Sequence, residues 1–113
     1  MDYIGKDVLV TTEHRGVFFG RLCEDNFAAN VVIDDARNCF YWDQSVHGVL
    51  GLAAAGPNGS CRIGPSVESL KLHKITSICL VSDKAAEKWR TAAYSGRSGS
   101  LFLKPEPEWE TEP

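Results

Sequence analysis

The chain has 113 residues, of which 43% are hydrophobic, and a formal net charge of −3 at pH 7. This length predicts one domain with a modest core. No apolar run approaches the roughly 20 residues that a membrane-spanning helix requires, and the opening residues lack the basic start and apolar centre of a signal peptide. We therefore expect a cytoplasmic protein with no membrane contact.

The charge is unevenly distributed. Residues 104–113 contain one Lys and four Glu, so residues 1–103 carry 11 basic and 11 acidic side chains and are neutral. A neutral body argues against a protein that coats nucleic acid by neutralising phosphates, because that mode of binding needs a clear basic surface. A small basic patch on one face remains compatible with this composition.

The first half of the chain predicts a strongly bent sheet. Gly20 lies inside a β-rich run and predicts a bulge or a sharp bend, as small barrels need for closure. Asp34 and Asp35 predict a turn or a bulge. The four β-rich runs are Val8–Val10, Val17–Leu22, Asn30–Ile33 and Cys39–Trp42.

The second half predicts helices and further strands. Ser45 is a candidate N-cap for a helix over Val46–Ala55, which Gly56 and Pro57 would end. Ser82 or Asp83 would cap a helix from Lys84 to about Ala93. The other expected features are strands at Cys61–Ile63, around Leu70 and Leu72, and over Ile75–Val81, and a buried helix face made of Ala85, Ala86 and Trp89. The predicted fold is α+β: a small, bent antiparallel β-barrel of SH3-like or Sm-like type with one inserted and one C-terminal helix.

The last segment has a different composition. We predict a domain over residues 1–94 and, over residues 95–113, a flexible Gly/Ser linker followed by an acidic Pro/Glu tail, because alternating Pro and Glu cannot build a core. The tail nevertheless carries large apolar residues. They could pack on their own domain, on a neighbouring copy or on a partner as a linear motif. They are Leu101, Phe102, Leu103 and Trp109.

Motifs of enzymes and cofactor sites are absent, so we expect a non-enzymatic protein with no catalytic residues, cofactor or metal. There is no phosphate-binding glycine loop, nucleophile elbow or His-Glu-x-x-His motif. Cysteines 23, 39, 61 and 79 form no Cys-x-x-Cys pair. We interpret them as buried thiols rather than zinc ligands.

The densest aromatic cluster supplies the main candidate site. Strand alternation puts Phe40 and Trp42 on one face, which we expect to serve the core, and Tyr41 on the other. Arg37 beside Tyr41 could stack on a base, grip a phosphate or contact a protein, although both side chains could equally be structural. Arg15, Arg21 and Arg62 could extend a basic patch.

Two family resemblances follow from these runs. Gly20-x-Leu22, followed at a matching distance by Asn30 at the start of a strand, resembles the first motif of Sm and Sm-like proteins. Asn26 stands where that family usually has Asp. The Arg-Gly of the family's second motif is missing, and His73-Lys74 lies nearby instead. The resemblance implies an oligomeric RNA-binding protein with Asn26 and Asn30 at its site.

A longer resemblance covers most of the chain. Asp35-Ala36-Arg37 with Tyr41-Trp42, then Leu50 with Leu52-Ala53, then Leu70-x-Leu72 and Ile75-x-x-Ile78, is similar to a family of small uncharacterised proteins of tailed phages and prophages. This resemblance implies an accessory phage protein in an infected bacterial host.

We therefore carry three hypotheses forward. The first is a non-enzymatic phage protein that binds and inhibits a host or defence protein, or sequesters a nucleotide signal, through Arg37, Tyr41 and Trp42. The second is an Sm-like oligomer that binds RNA. The third is a structural virion protein whose tail bridges copies.

Overall fold

The computed structural model describes residues 3–26 and 30–93. These residues form six strands and two α-helices, with a 3-10 turn at Glu13–Arg15 and another at Gln44–Val46. In chain order the elements are β1 (Asp7–Thr12), β2 (Gly16–Asp25), β3 (Asn30–Tyr41), α1 (Gly48–Ala54), β4 (Arg62–Ile63), β5 (Val67–His73), β6 (Ile75–Leu80) and α2 (Asp83–Thr91).

All strand pairs in the sheet are antiparallel. β3 pairs with β2 along one side, while its other side pairs with β5 over its first half and with β4 near its end. β1 lies between β2 and β6. Only Lys74 separates β5 from β6, although these strands occupy opposite margins of the sheet. The chain thus turns from one margin to the other within a single residue.

The prediction of a barrel was an overstatement, because the sheet is open. β5 pairs with β3 and β6 pairs with β1, but no ladder joins β5 to β6 in the part of the chain that the structure describes. Lys74, the single residue at the junction of these two strands, has a left-handed φ of +57°. The α+β class and the antiparallel sheet are confirmed.

The bend predicted at Gly20 lies opposite a bulge in β3. Phe19 faces Arg37 and Arg21 faces Asp34, so β3 has one residue more than β2 between these pairs. Asp35 takes a left-handed φ of +52° there. A Cβ at Gly20 would stand 2.9 Å from the Asp34 carbonyl oxygen, which explains the glycine. The runs predicted as a third and a fourth strand are therefore one bulged strand.

Alternating side chains fill a core on each face of the sheet. Val8 and Val10 point to one face and Leu9 to the other, and all three are fully buried. The first face packs with Leu22, Val31, Ile33 and Leu72. The second packs under both helices and includes Phe19, Leu52, Ile63 and Trp89. The rings of Phe19 and Trp89 stack with centroids 5.3 Å apart.

The two helices differ in how well their starts were predicted. Ser82 caps α2, accepting a hydrogen bond of 3.1 Å from the Ala85 amide, and the expected face of Ala85, Ala86 and Trp89 is buried. Ser45 does not cap α1, because its amide donates to the Asp43 carboxylate within a 3-10 turn. The α-helix begins only at Gly48, after His47 adopts a left-handed φ of +64°.

Within residues 3–26 and 30–93, no helix is long and apolar enough to cross a membrane. The predicted domain boundary at residue 94, the linker and the tail lie outside the described residues.

Candidate functional site

The described surface contains an apolar cleft of about 590 Å³ between the sheet and α1. Trp42, Val49 and Cys79 pack against the core beneath it, and Leu50 stands at its rim with 71% of its surface exposed. A volume of this size lies within the range of ligand pockets, which are mostly apolar with a few polar groups. The lining residues are Thr11, Thr12, Arg15, Gly16, Val17, Trp42, Val49, Leu50, Thr76, Ser77 and Cys79.

Arg15 is the one charged side chain among these lining residues. It is exposed and follows His14 in a left-handed backbone, with φ of +67°. Thr11 bonds the Thr76 hydroxyl at 2.6 Å and the Ser77 hydroxyl at 2.5 Å, so these hydroxyls already have partners. The cleft therefore combines apolar walls with one cationic group, and it brings together two of the predicted site residues, Arg15 and Trp42.

The end of β3 presents two exposed aromatic rings, and with Arg62 they form what we call the aromatic end. Phe40 is 56% exposed and Tyr41 is 50% exposed. The Arg62 guanidinium lies 6.0 Å from the Tyr41 ring centroid, within range of a cation–π contact. The expectation that Phe40 serves the core was wrong, because more than half of its surface is exposed. Trp42 is partly buried against the core, as expected.

Arg37 is buried inside the fold, with 7% of its surface exposed, and does not stand at the surface beside Tyr41. Its Nη1 donates to the carbonyls of Trp89 and Ala92 at 2.9 and 2.7 Å, and its Nε donates to the carbonyl of Gly64 at 2.9 Å. Burial lowers the pKa of this guanidinium below its ordinary value. Arg37 thus satisfies the last carbonyls of α2, which have no partner within the helix.

A third cluster lies where β3 begins and β5 ends. Asn30 faces His73 directly across the sheet, and Val32 faces Lys71. The Asn26 amide nitrogen donates to Asn30 Oδ1 at 2.7 Å and to Glu24 Oε2 at 3.2 Å. Because residues two apart in a strand share a face, Lys71 and His73 stand beside Asn30 on the same surface. We call this cluster the amide end: Asn26, Asn30, Lys71, His73 and Lys74.

Two cysteines share a local network between β3 and β4. A hydrogen bond with Cys39, together with bonds from the Asn58 backbone and Ser60, lowers the pKa of Cys61 to about 6, against the effect of partial burial. The hydrogen bond with Cys61 and burial raise the pKa of Cys39.

Cys39 is buried, Cys61 and Cys79 are partly buried, and Cys23 is exposed, against the expectation of burial throughout. In the described residues no three His, Cys, Asp or Glu side chains converge as metal ligands.

Sequence reasoning therefore found some members of each of the three surfaces but not their full composition. It missed Val49, Leu50 and Cys79 as cleft residues, since their apolar character indicates core and strand as well as a site. The nearest available signal was the helical spacing of Val49 and Leu50, which could not show that Leu50 is uncovered. Whether Arg15, Asn26, Asn30, Arg37, Tyr41 or Trp42 contacts a partner stays a prediction. The tail contacts at Leu101, Phe102, Leu103 and Trp109 lie outside the described residues.

Three solved structures with a partial likeness in fold are Sm proteins. A heptameric archaeal Sm protein shares 18% identity with a TM-score of 0.48, and the alignment covers 72% of this chain and 93% of that one. The heptamer of SmAP1 from P. aerophilum shares 18% identity with a TM-score of 0.48, and the alignment covers 72% of this chain and 85% of that one. The Sm protein of Pyrococcus abyssii, in complex with a uridine heptamer, shares 21% identity with a TM-score of 0.45. The alignment covers 70% of this chain and 87% of that one. These values describe a partial likeness in fold, and the bound uridine heptamer belongs to that protein.

No curated protein matches the chain. A family model for a domain of unknown function matches residues 5–89, which include all six strands and most of α2. The phage origin implied by the sequence resemblance stays a prediction. By this match, the chain belongs to the DUF6948 family, a domain of unknown function.

Proposed function

We propose that this protein is a non-enzymatic, oligomeric module that binds single-stranded RNA at the amide end. The observation that carries the proposal is the cross-strand position of Asn30 and His73, with the Asn26 amide bonded to Asn30. Amide side chains can hydrogen-bond the edges of unstacked bases, and a histidine ring can stack on them. Lys71 and Lys74 are exposed nearby and can contact phosphates.

The neutral charge of residues 1–103 supports binding of RNA at one local site rather than along an extended basic surface. Residues 1–103 are neutral overall, so few phosphates would be neutralised and the salt dependence would be shallow compared with that of a basic protein. Glu24, which accepts from Asn26, holds the amide in place and limits the approach of phosphate on that side. We expect contacts to only a few nucleotides per chain.

The open sheet supports assembly into oligomers. Within the described residues, β5 pairs only with β3 and β6 only with β1, so each has a margin whose backbone groups can pair with another chain. Light scattering on the eluting full chain should give a mass that is a multiple of 12.4 kDa. A monomer at high micromolar concentration would contradict this part of the proposal.

The RNA site is tested by filter binding of oligouridine and oligoadenine to the full chain across a salt series. Lys71→Gln should weaken binding and reduce the slope of log affinity against log salt by about 0.7, the value for one phosphate contact on a single strand. Asn30→Ala should weaken binding without changing that slope. Lys84→Gln, an exposed cation on α2, is the matched control and should change neither quantity. Equal losses of RNA affinity in Lys71→Gln and Lys84→Gln would show that the amide end is not the RNA site.

A second candidate function is inhibition of a host or defence protein through the aromatic end, as the phage resemblance implies. The observation that favours it is the pair of exposed rings with Arg62 over one of them. Tyr, Phe and Arg are enriched in protein interfaces. Proteins captured from bacterial lysate by the full chain should be lost with Tyr41→Ser and retained with Leu80→Ser, an exposed apolar residue on β6. Identical capture by both variants would argue against this function.

A further inference from the structure

We propose that the cleft between the sheet and α1 is the docking site of this chain's own C-terminal segment, with Leu101, Phe102 and Leu103 in the apolar space. The cleft is formed by described residues, whereas the occupant is named from the sequence alone. This inference is independent of the RNA proposal, because the cleft and the amide end have no residue in common.

The lining of the cleft calls for an occupant with an apolar body. Leu50 leaves 71% of its surface exposed at the rim, and covering this apolar side chain would be favourable because it removes apolar surface from water. Trp42 and Val49 already pack on the core beneath and offer a preformed floor. Leu101–Leu103 is a run of three large apolar residues within residues 94–113.

The charges on the two partners are complementary. Arg15 is the charged residue of the lining, and residues 104–113, which directly follow the apolar run, carry four Glu against one Lys. Residues 1–103 are neutral, so the acidic segment meets no general repulsion from the body. A guanidinium at the rim can pair with a carboxylate just beyond the docked apolar run.

The connection is long enough. The carbonyl of Ala92 accepts a hydrogen bond from Arg37, and Ala92 packs on the same core cluster as Trp42, Val49 and Cys79. Residues 94–100 then precede Leu101, and seven residues span up to about 25 Å when extended. Because Ala92 packs on the same core cluster as the floor of the cleft, a connection of this length can return to the cleft of its own chain.

The test is a comparison of full-length proteins by amide chemical shifts in a ¹⁵N correlation spectrum. Phe102→Ser should shift the resonances of Val49, Leu50, Thr76 and Ser77 and leave those of Asn30 and His73 in place. Trp109→Ser, which removes an equally large ring outside the apolar run, is the matched control and should leave the cleft resonances unchanged. A synthetic peptide spanning residues 95–113, added in excess to the Phe102→Ser protein, should restore them.

Three outcomes would overturn the proposal. Unchanged cleft resonances in Phe102→Ser would show that the segment does not dock there. Shifts caused by Trp109→Ser alone would assign the cleft to a different part of the tail. Shifts in the wild-type protein that change on tenfold dilution would mean that the segment comes from another copy. Because the substitutions lie in the tail, the fold of residues 3–93 is retained in each comparison, as circular dichroism will verify.

Discussion

At the scale of single residues, Arg37 shows how a side chain typical of binding sites can be structural. Its three donors bind the carbonyls of Gly64, Trp89 and Ala92, so one guanidinium connects the loop after β4 to the end of α2. A cation at this position also opposes the negative end of the helix dipole. The sequence shows Arg37 four residues from Tyr41, but the bulge at Asp35 and the burial of β3 decide which way it points.

Replacement of Arg37 tests this structural role. Arg37→Ala should lower the free energy of unfolding by about 3 kcal/mol, because buried carbonyls lose their charged donor. Arg37→Lys keeps the charge but not the planar fork, and should lose about 2 kcal/mol. Urea denaturation measures both changes. A stable Arg37→Ala protein that has lost a ligand would instead make Arg37 a binding residue.

Cys61 should react as a thiolate near neutral pH. Its pKa is lowered to about 6, so the reactive form is fully present above that pH and is lost as the pH falls through it. The rate of iodoacetamide labelling at Cys61, followed by peptide mass spectrometry, should have its midpoint near pH 6. Cys39→Ala removes the main hydrogen-bond partner and should move the midpoint up, toward the ordinary value of about 8.5. An unchanged midpoint in Cys39→Ala would contradict the assigned cause.

At the scale of elements, Ser82 joins the two helices. Its hydroxyl accepts from the Ala85 amide at the start of α2 and donates to the Ala54 carbonyl at the end of α1, at 2.9 Å. Ser82→Ala should therefore cost about 1 kcal/mol or more of unfolding free energy, measured by urea denaturation. Ser69→Ala, on the exposed face of β5, should stay within about 0.5 kcal/mol. Equal effects would mean that the cap adds little.

Elements whose signals are local could be predicted from the sequence. β1, β6 and α2 were found because alternation and an N-cap act over a few residues. The start of α1 was misplaced, since both Ser45 and Asp43 are good caps and only the left-handed backbone at His47 separates the 3-10 turn from the helix. The open sheet, the exposure of Phe40 and the cleft depend on contacts between distant segments, which composition and periodicity do not contain.

At the scale of the whole molecule, the three surfaces lie on one small sheet and share its framework. β3 contributes Asn30 to the amide end and Tyr41 to the aromatic end, and Trp42, directly after it, reaches the cleft. A change in the bulge at Asp35 would therefore alter the placement of the amide end relative to the other two surfaces. The fold thus has three separate surfaces, to which our proposals assign RNA, a protein partner and the chain's own tail, and the experiments above distinguish them.

The single residue between β5 and β6 is a short hinge, and we expect domain swapping when a substitution forbids its backbone conformation. Lys74 holds a left-handed φ of +57°, which costs a non-glycine residue about 1–2 kcal/mol, and its carbonyl accepts from the Glu13 amide at 3.0 Å. Proline cannot adopt that φ. In Lys74→Pro, we expect β6 and α2 to leave their own β1 and pair with the β1 of a second molecule. Light scattering should show twice the wild-type mass, and Lys74→Gly, which removes the strain, should keep the wild-type mass and raise the unfolding midpoint.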